Sequence, residues 1–283
     1  MATTLRTRPA TTADLPGIRA ILAAHDNDGP HESIDIVGPY VRHLIEHGHT
    51  LVVEDGGGIV AYGAVIDAGR AHHLADLFVR PDRLGEGIGR PLLERLFVGR
   101  WPRTTFASDD PRALPLYVRA GMTPFWPHLY VEGDAGAVPD PGPAIGIEPA
   151  DAGRLADLEQ EWTGVERRAD HAHWASQASA DPFVVLAGGT PVAIAHARAR
   201  QIGSSRVVNR LVVRPDAEPL APLWAALRRA GRGGPVVAGI QGPSPALRPL
   251  LDAGFRIIDR DTYMASEPDL IDPARLVPNS GML

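Results

Sequence analysis

The sequence contains no cysteine and, among its 283 residues, no lysine. The first absence excludes disulfides, thiol nucleophiles and metal sites that need cysteine ligands. The second excludes Walker-type phosphate loops, Schiff-base enzymes and protein kinases, because each depends on a lysine. All 28 basic residues are arginine, and with 30 glycines and 27 prolines they indicate a GC-rich, bacterial genome.

Long apolar runs and an excess of positive charge are also missing. No stretch approaches the ~18 apolar residues of a membrane-spanning helix, and residues 1–10 lack the apolar segment of a signal peptide. The net charge of −6 argues against nonspecific binding to nucleic acid or to an anionic membrane. We therefore expect a cytoplasmic protein with neither nucleic-acid nor membrane partners.

The sequence repeats itself with a period near 134 residues. Leu77–Asp82 recurs as Leu211–Asp216, and Ala120-Gly121-Met122 recurs as Ala253-Gly254-Phe255. Strand and helix patterns follow in the same order in both halves, which predicts a duplicated α/β domain. We predict a first domain at 1–132, a Gly/Pro-rich linker at 133–144, a second domain at 145–265 and a C-terminal tail at 266–283.

A glycine-rich turn at residues 84–89 follows a predicted strand and opens a predicted helix. Gly85, Gly87 and Gly89 alternate, so main-chain N–H groups can approach an anion closely, and the helix N-terminus adds partial positive charge. A pyrophosphate is the expected ligand, although a strand–helix turn without a ligand is the alternative. The Gly-x-Gly-x-Gly spacing does not meet the dinucleotide-binding fingerprint, which disfavours a nucleotide-dependent oxidoreductase.

Residues 79–93, followed by 113–122, resemble the two signature segments of GNAT N-acetyltransferases. The shared features are a Val-x-Pro strand end, the glycine loop and a Leu-Tyr-x-x-x-Gly helix end. The resemblance covers nearly all of residues 5–132 and, more weakly, 145–264. It implies two tandem GNAT-like domains of α/β (mixed α+β) class. Each would be a splayed, mixed and largely antiparallel sheet flanked by helices, with acyl-CoA in the split between the fourth and fifth strands.

The same resemblance implies a set of CoA-binding residues. Main-chain groups of Phe78 and Val79 would pair with the pantetheine arm, and Arg90 would lie near the phosphates. The pyrophosphate loop would comprise Leu84, Gly85, Glu86, Gly87, Ile88 and Gly89. Two features depart from the family pattern: Leu84 occupies the usual Arg/Gln position, with Arg83 one residue early, and Glu86 brings negative charge into the loop.

Tyr117 falls where the family keeps a tyrosine near the thioester sulfur, so its phenol is the candidate general acid, with a core aromatic as the alternative. The candidate general bases, His72, His73 and Asp76, lie on the strand before the loop, and Glu54 and Asp110 are weaker choices. The alternative for His72 and His73 is two strand residues at the end of a sheet without a catalytic role. Strict strand alternation puts His73 on the face of Ala75, Leu77 and Val79, and Asp76 on the face of His72. An imidazole suits a base at neutral pH.

The second half lacks these features. The positions of the three loop glycines hold Pro219, Ala221 and Leu223, and that of Tyr117 holds Leu250. We therefore expect one CoA site per chain. The pair His171 and His173 has no evident third ligand, so no metal is expected. Four residues of this half are weak candidates for the wall of an acceptor cleft: Arg167, Arg168, His171 and Trp174.

These observations predict an acyl-CoA-dependent N-acyltransferase without a metal. Acetyl-CoA would be the cosubstrate, and the acceptor a primary amine of a small molecule or peptide that attacks directly in the first domain. The alternative is a noncatalytic acyl-CoA-binding or interaction protein that uses the duplicated domain as a scaffold. The acceptor, the acyl chain preference and the oligomeric state, with a homodimer as one option, stay open.

Overall fold

The computed structural model describes residues 5–25, 34–200 and 203–283. In these segments the strands form a single mixed sheet. They are β1 (Arg6–Pro9), β2 (His49–Asp55), β3 (Gly58–Asp67), β4 (His72–Val79), β5 (Arg103–Ala107), β6 (Thr123–Asp134), β7 (Ile145–Pro149), β8 (Asp181–Ala187), β9 (Thr190–Ala199), β10 (Arg206–Val213), β11 (Pro235–Gln241), β12 (Arg256–Ala265) and β13 (Leu276–Val277).

Helices pack on both faces of this sheet. They are α1 (Leu15–His25), α2 (Ile34–His47), α3 (Gly89–Leu96), α4 (Ala113–Arg119), α5 (Ala152–Thr163), α6 (Arg168–Ser176), α7 (Leu220–Gly231) and α8 (Leu247–Asp252). Local sequence explains their ends. At α5, for example, the Asp151 side chain accepts from Arg154 N, and Gly164 ends the helix at φ +75°. None of the described helices is both long and apolar enough to cross a bilayer.

The two halves exchange their last strands. The order across the sheet is β1-β2-β3-β4-β5-β12-β6-β11-β10-β9-β8-β7. β12 of the second half thus pairs with β5 of the first, and β6 of the first half pairs with β11 of the second. The sheet of each half is completed by a strand of the other, so the two repeats share one continuous layer.

A split opens in each half between two parallel strands. β4 and β5 pair only from His72–Leu74 to Arg103–Thr105, and beyond this point they separate. β10 and β11 repeat the pattern, pairing only from Arg206–Val208 to Val236–Ala238. The first split is the place where the predicted splay of the sheet occurs.

The predicted C-terminal tail folds back onto the sheet. Its two-residue strand β13 pairs with β10, and five of its apolar side chains are buried. Those side chains are Leu270, Ile271, Val277, Met282 and Leu283. This segment therefore belongs to the packed core of the molecule.

Candidate active site

A β-bulge in β4 determines which side chains reach the first split. Asp76 pairs with Ala64 and Leu74 with Val65, so Ala75 is the extra, unpaired residue. The bulge makes the strict alternation expected from sequence wrong. Leu74, Leu77 and Val79 pack together in the core cluster under α3, whereas Ala75 and Phe78 pack in the clusters on the α1–α2 side.

The register of β4 also directs its main chain. Arg80 N donates to Val60 O at 2.8 Å. Since successive residues of a strand direct their N–H and C=O groups to opposite sides, every second residue of β4 counted back from Arg80 bonds β3, and the residues between them face away from it. The N–H and C=O groups of Leu77 and Val79 therefore point away from β3 and into the split, while those of Phe78 point towards Tyr62. This edge can pair with an extended ligand as a further strand would.

One cavity of about 580 Å³ fills the split. β4 forms one wall from Leu74 to Val79, and β5 and α4 form the other with Thr105, Phe106 and Tyr117. The glycine turn closes one end. Of the CoA-binding residues predicted from sequence, all but Glu86 line this cavity; they are Phe78, Val79, Leu84, Gly85, Gly87, Ile88, Gly89 and Arg90.

The glycine turn has the geometry of an anion cradle. Gly85 and Gly87 have φ values of +86° and +77°, which favour glycine over any L-residue. Within the described residues, no main-chain acceptor bonds the N–H groups of Gly87, Gly89 or Arg90. Added Cβ atoms at Gly85 and Gly87 would meet no atom within 4 Å. The turn therefore leaves free donors and open space at the N-terminus of α3.

The charges of the turn are paired with each other. Arg83 Nε donates to Glu86 at 2.8 Å, and Arg83 Nη1 donates to Asp55 at 2.5 Å. The negative charge that Glu86 brings to the loop is thus neutralised by an ion pair with Arg83, the residue directly before the position where the family has Arg or Gln. Arg90 pairs with Glu94 at 2.8 Å on the exposed side of α3, where the guanidinium is free to exchange partners.

Tyr117 is buried by the cavity wall, with 9% of its surface exposed. Its hydroxyl makes no hydrogen bond to any of the described residues, although the ring lines the cavity. Burial is the main cause of the raised pKa of this phenol, and the charges of Asp76, Asp110 and Asp261 add to it. The hydroxyl therefore keeps its proton until a ligand atom accepts it.

Asp76 lines the same cavity. Tyr62 Oη donates to its carboxyl at 3.1 Å, and Tyr40 Oη lies 3.4 Å from Oδ1. Desolvation raises the pKa of Asp76 to about 6, although both tyrosine hydroxyls oppose this shift by stabilising the charged form. Asp76 is therefore ionised at neutral pH but close to the range in which it binds a proton.

His73, the other candidate base, lies outside the cavity lining. Its side chain is fully buried, with Nδ1 3.1 Å from Thr104 Oγ1 and Nε2 donating to Ser280 O at 2.9 Å. Desolvation lowers its pKa to about 4. With both ring nitrogens engaged, the structure favours Asp76 over His73 as the base. Glu54 pairs with Arg8, and Asp110 pairs with Arg112.

Three basic residues of the cavity wall, His25, Arg112 and Arg119, were not predicted from the sequence. His25 Nε2 donates to Val79 O at 2.8 Å, so it reaches the strand edge that faces the split. Arg119 makes no ion pair with the described residues. All three lie at helix ends, and no local pattern in the sequence distinguishes such positions from other solvated helix ends.

The equivalent split in the second half is filled by the chain itself. Glu218 accepts from Leu220 N at 2.9 Å and Ala221 N at 2.8 Å, which occupies the N-terminal donors of α7. β13 lies along the free edge of β10, where Val213 N donates to Arg275 O at 2.9 Å. Leu223 and Leu250, the counterparts of Gly89 and Tyr117, are buried in the core.

The cluster around His171 lies between the halves, away from the cavity. His171 is fully buried between Glu159 and His196, and Trp174 packs with Leu44 of α2. Arg167 is buried as well, whereas Arg168 is exposed and pairs with Asp157. No group able to hold a metal ion occurs in the described residues.

Residues 46–122, which span β2 to α4 and the whole glycine turn, match the acetyltransferase (GNAT) domain family. No curated protein matches the chain. This match to the GNAT acetyltransferase domain family agrees with the resemblance found in the sequence.

Solved structures with the same fold extend over both halves. A Pyrococcus horikoshii protein described as a candidate acetyltransferase has 14% identity and a TM-score of 0.70, with 97% of this chain and 93% of that chain covered. A tandem GNAT protein from the clavulanic acid biosynthesis pathway has 16% identity and a TM-score of 0.62, with 95% and 100% covered. A GCN5-related N-acetyltransferase from Sphaerobacter thermophilus has 17% identity and a TM-score of 0.60, with 92% and 95% covered. The predicted tandem GNAT fold is confirmed, and this fold supports acyl transfer as a general activity.

Proposed function

We propose that the protein is an N-acyltransferase that moves the acetyl group of acetyl-CoA to a primary amine in the cavity of the first half. The observation that carries the proposal is the continuity of one cavity. It joins the glycine turn, the edge of β4 that faces away from β3, Asp76 and the hydroxyl of Tyr117, which has no hydrogen-bond partner among the described residues.

The residues present fit acetyl-CoA along its length. The free N–H groups at Gly87, Gly89 and Arg90 suit the pyrophosphate. The main-chain N–H and C=O groups of Leu77 and the N–H of Val79 suit the amides of the pantetheine arm, which would lie along β4 as an added strand, while Val79 O already accepts from His25. Tyr117 lies beyond the turn, at the part of the cavity that the thioester would reach.

In the proposed reaction, the amine nitrogen attacks the thioester carbon, a C–N bond forms and the C–S bond breaks. Asp76 accepts the proton that the amine loses, and a main-chain N–H on the free edge of β4 donates to the carbonyl oxygen as charge develops there. Tyr117 gives its proton to the departing sulfur and recovers one from solvent. Amide and CoA are the products.

The test combines calorimetry with acetyl-CoA and a transfer screen against an amine library with detection of released thiol. We expect Tyr117→Phe to lower kcat by about 10 to 1000-fold with little change in acetyl-CoA affinity, since it removes only the proton donor. Tyr263→Phe is the matched control, because Tyr263 is a buried tyrosine whose hydroxyl has no partner in the described residues. Binding without turnover on any amine would instead support the noncatalytic alternative.

A further inference from the structure

The C-terminal segment connects the filled split of the second half to the candidate active site of the first. β13 pairs with β10 along the second split. Directly after it, residues 279–283 cross to the first half and pack between α2 and α6. Met282 is 1% exposed and lies in a cluster with Leu44 of α2 and Trp174 of α6.

The second half holds this segment firmly. Asn279 Nδ2 donates to Asn209 Oδ1 at 2.9 Å. Asn209 is the bulged residue of β10, the counterpart of Ala75 in β4. Arg167 donates to the main-chain oxygens of Met282 and Leu283, and Arg210 donates to that of Leu283. Both arginines are almost fully buried, so breaking these hydrogen bonds would leave buried charged donors without acceptors. The bonds therefore hold the segment 279–283 against the second half.

On the other side, the segment touches residues of the first half that surround Asp76. Ser280 O accepts from His73 Nε2, and Gly281 O lies 3.4 Å from Tyr40 Oη. A Cβ atom at Gly281 would lie 2.4 Å from Tyr40 Oη and 2.9 Å from its Cζ. The Tyr40 hydroxyl therefore rests directly on the α-carbon of Gly281.

Tyr40 is in turn a neighbour of the candidate base. Its hydroxyl lies 3.4 Å from Asp76 Oδ1 as well as 3.4 Å from Gly281 O, and it has a single proton to donate. The other titratable groups that face Asp76 are Tyr62 on β3, which donates to Oδ2, and Tyr117 on α4, which feels the Asp76 charge.

We propose that the segment 279–283 positions the hydroxyl of Tyr40 against Asp76, so that the second half, which has no CoA groove of its own, controls the proton affinity of the base in the first. The role of Asp76 as a base rests on the proposed function, whereas the effect of the segment on the pKa of Asp76 can be measured without turnover. Gly281 and Tyr40 are positioning residues in this scheme.

The experiment is a carboxyl 13C NMR titration of the full-length protein with 13C-labelled aspartate. The Asp76→Asn variant assigns the Asp76 resonance, which must be separated from that of Asp261, whose pKa is also raised to about 6. Tyr40→Phe should raise the pKa of Asp76, because one donor to the carboxylate is lost. Gly281→Ala should shift it by at least about 0.3 pH units, a twofold change in proton affinity, because the tyrosine hydroxyl must move.

The double variant decides the mechanism. If Gly281 acts through the Tyr40 hydroxyl, Gly281→Ala should have no effect in the Tyr40→Phe background. Gly146→Ala is the control, since its new Cβ would make only ordinary contact, 4.0 Å from Leu186 Cβ. An unchanged Asp76 titration in Gly281→Ala, or a shift that persists without the hydroxyl, would overturn the inference. Absence of transfer by the wild type would overturn the proposed function alone.

Discussion

Asp76 and His73 lie three residues apart on one strand, yet their surroundings move their pKa values in opposite directions. Burial raises the pKa of Asp76 to about 6 and lowers that of His73 to about 4. Desolvation disfavours the charged form of each group, which is the anion for the aspartate and the cation for the histidine. At neutral pH Asp76 is thus ionised and His73 neutral.

This difference predicts the pH dependence of acetyl transfer. Below about pH 6, Asp76 binds a proton and can no longer accept one from the amine, so kcat at saturating amine should fall. Asp76→Asn should abolish this acid limb and lower kcat by about 10² to 10⁴-fold. His73→Gln, the matched control, should keep the limb. The measurement is kcat over about pH 5 to 8, and a limb that disappears only in His73→Gln would assign the base to His73.

At the scale of elements, a pair of substitutions at Gly89 distinguishes the effect of an added charge on acetyl-CoA binding from the effect of an added side chain. A Cβ at Gly89 would lie 3.6 Å from Val79 Cγ2 and 4.0 Å from Leu116 Cδ2, which is ordinary contact, and Gly89 does not need a positive φ. Gly89→Asp should therefore fold well, because an acidic residue at a helix N-terminus is favourable. It should nevertheless weaken acetyl-CoA binding by at least about tenfold, since it places a negative charge among the phosphate donors.

Gly89→Ala is the control for this prediction, because it adds the same Cβ without the charge. Calorimetric titration with acetyl-CoA should give nearly wild-type affinity for this variant and a large loss for Gly89→Asp. Equal acetyl-CoA affinity of the two variants would show that the turn does not bind the pyrophosphate.

The elements also show which parts of the site the sequence can predict. The glycine turn and the Tyr117 helix are recognisable because their conformations depend on local residues, such as glycines at positive φ. The bulge at Ala75 cannot be recognised in the sequence, since an alanine fits a regular strand equally well. This bulge determines that Asp76 faces Tyr40 and Tyr62, whereas Leu77 faces α3. The strand exchange cannot be predicted from the sequence either. β6 and β12 are equivalent strands of the repeat, so pairing within one half and pairing with the other half satisfy the same local sequence pattern. Contacts of Gly281 with Tyr40 join residues 241 positions apart.

At the scale of the whole molecule, the described residues of the two repeats form two splits in the sheet, and of these the first is an open groove while the second is filled by the chain. The second split contains its own substitutes for a ligand: the Glu218 carboxylate takes the N-terminal donors of α7, and β13 takes the free edge of β10. Both substitutes are part of the chain, so a ligand would have to displace groups that compete with it intramolecularly. The position of Tyr117 is held by Leu250, which carries no proton to donate.

We therefore expect the full-length chain to bind one acetyl-CoA. Calorimetry should give a stoichiometry of one, and Gly89→Asp should weaken that single binding event by at least about tenfold. Glu218→Gln serves as the control, because it weakens the cap on α7 while β13 still covers the edge of β10, so the stoichiometry should stay at one. Two binding events per chain, or an affinity that is unchanged in Gly89→Asp and lost on substitution in the second half, would show that the second groove opens. The structural asymmetry of the repeats would then not determine where CoA binds.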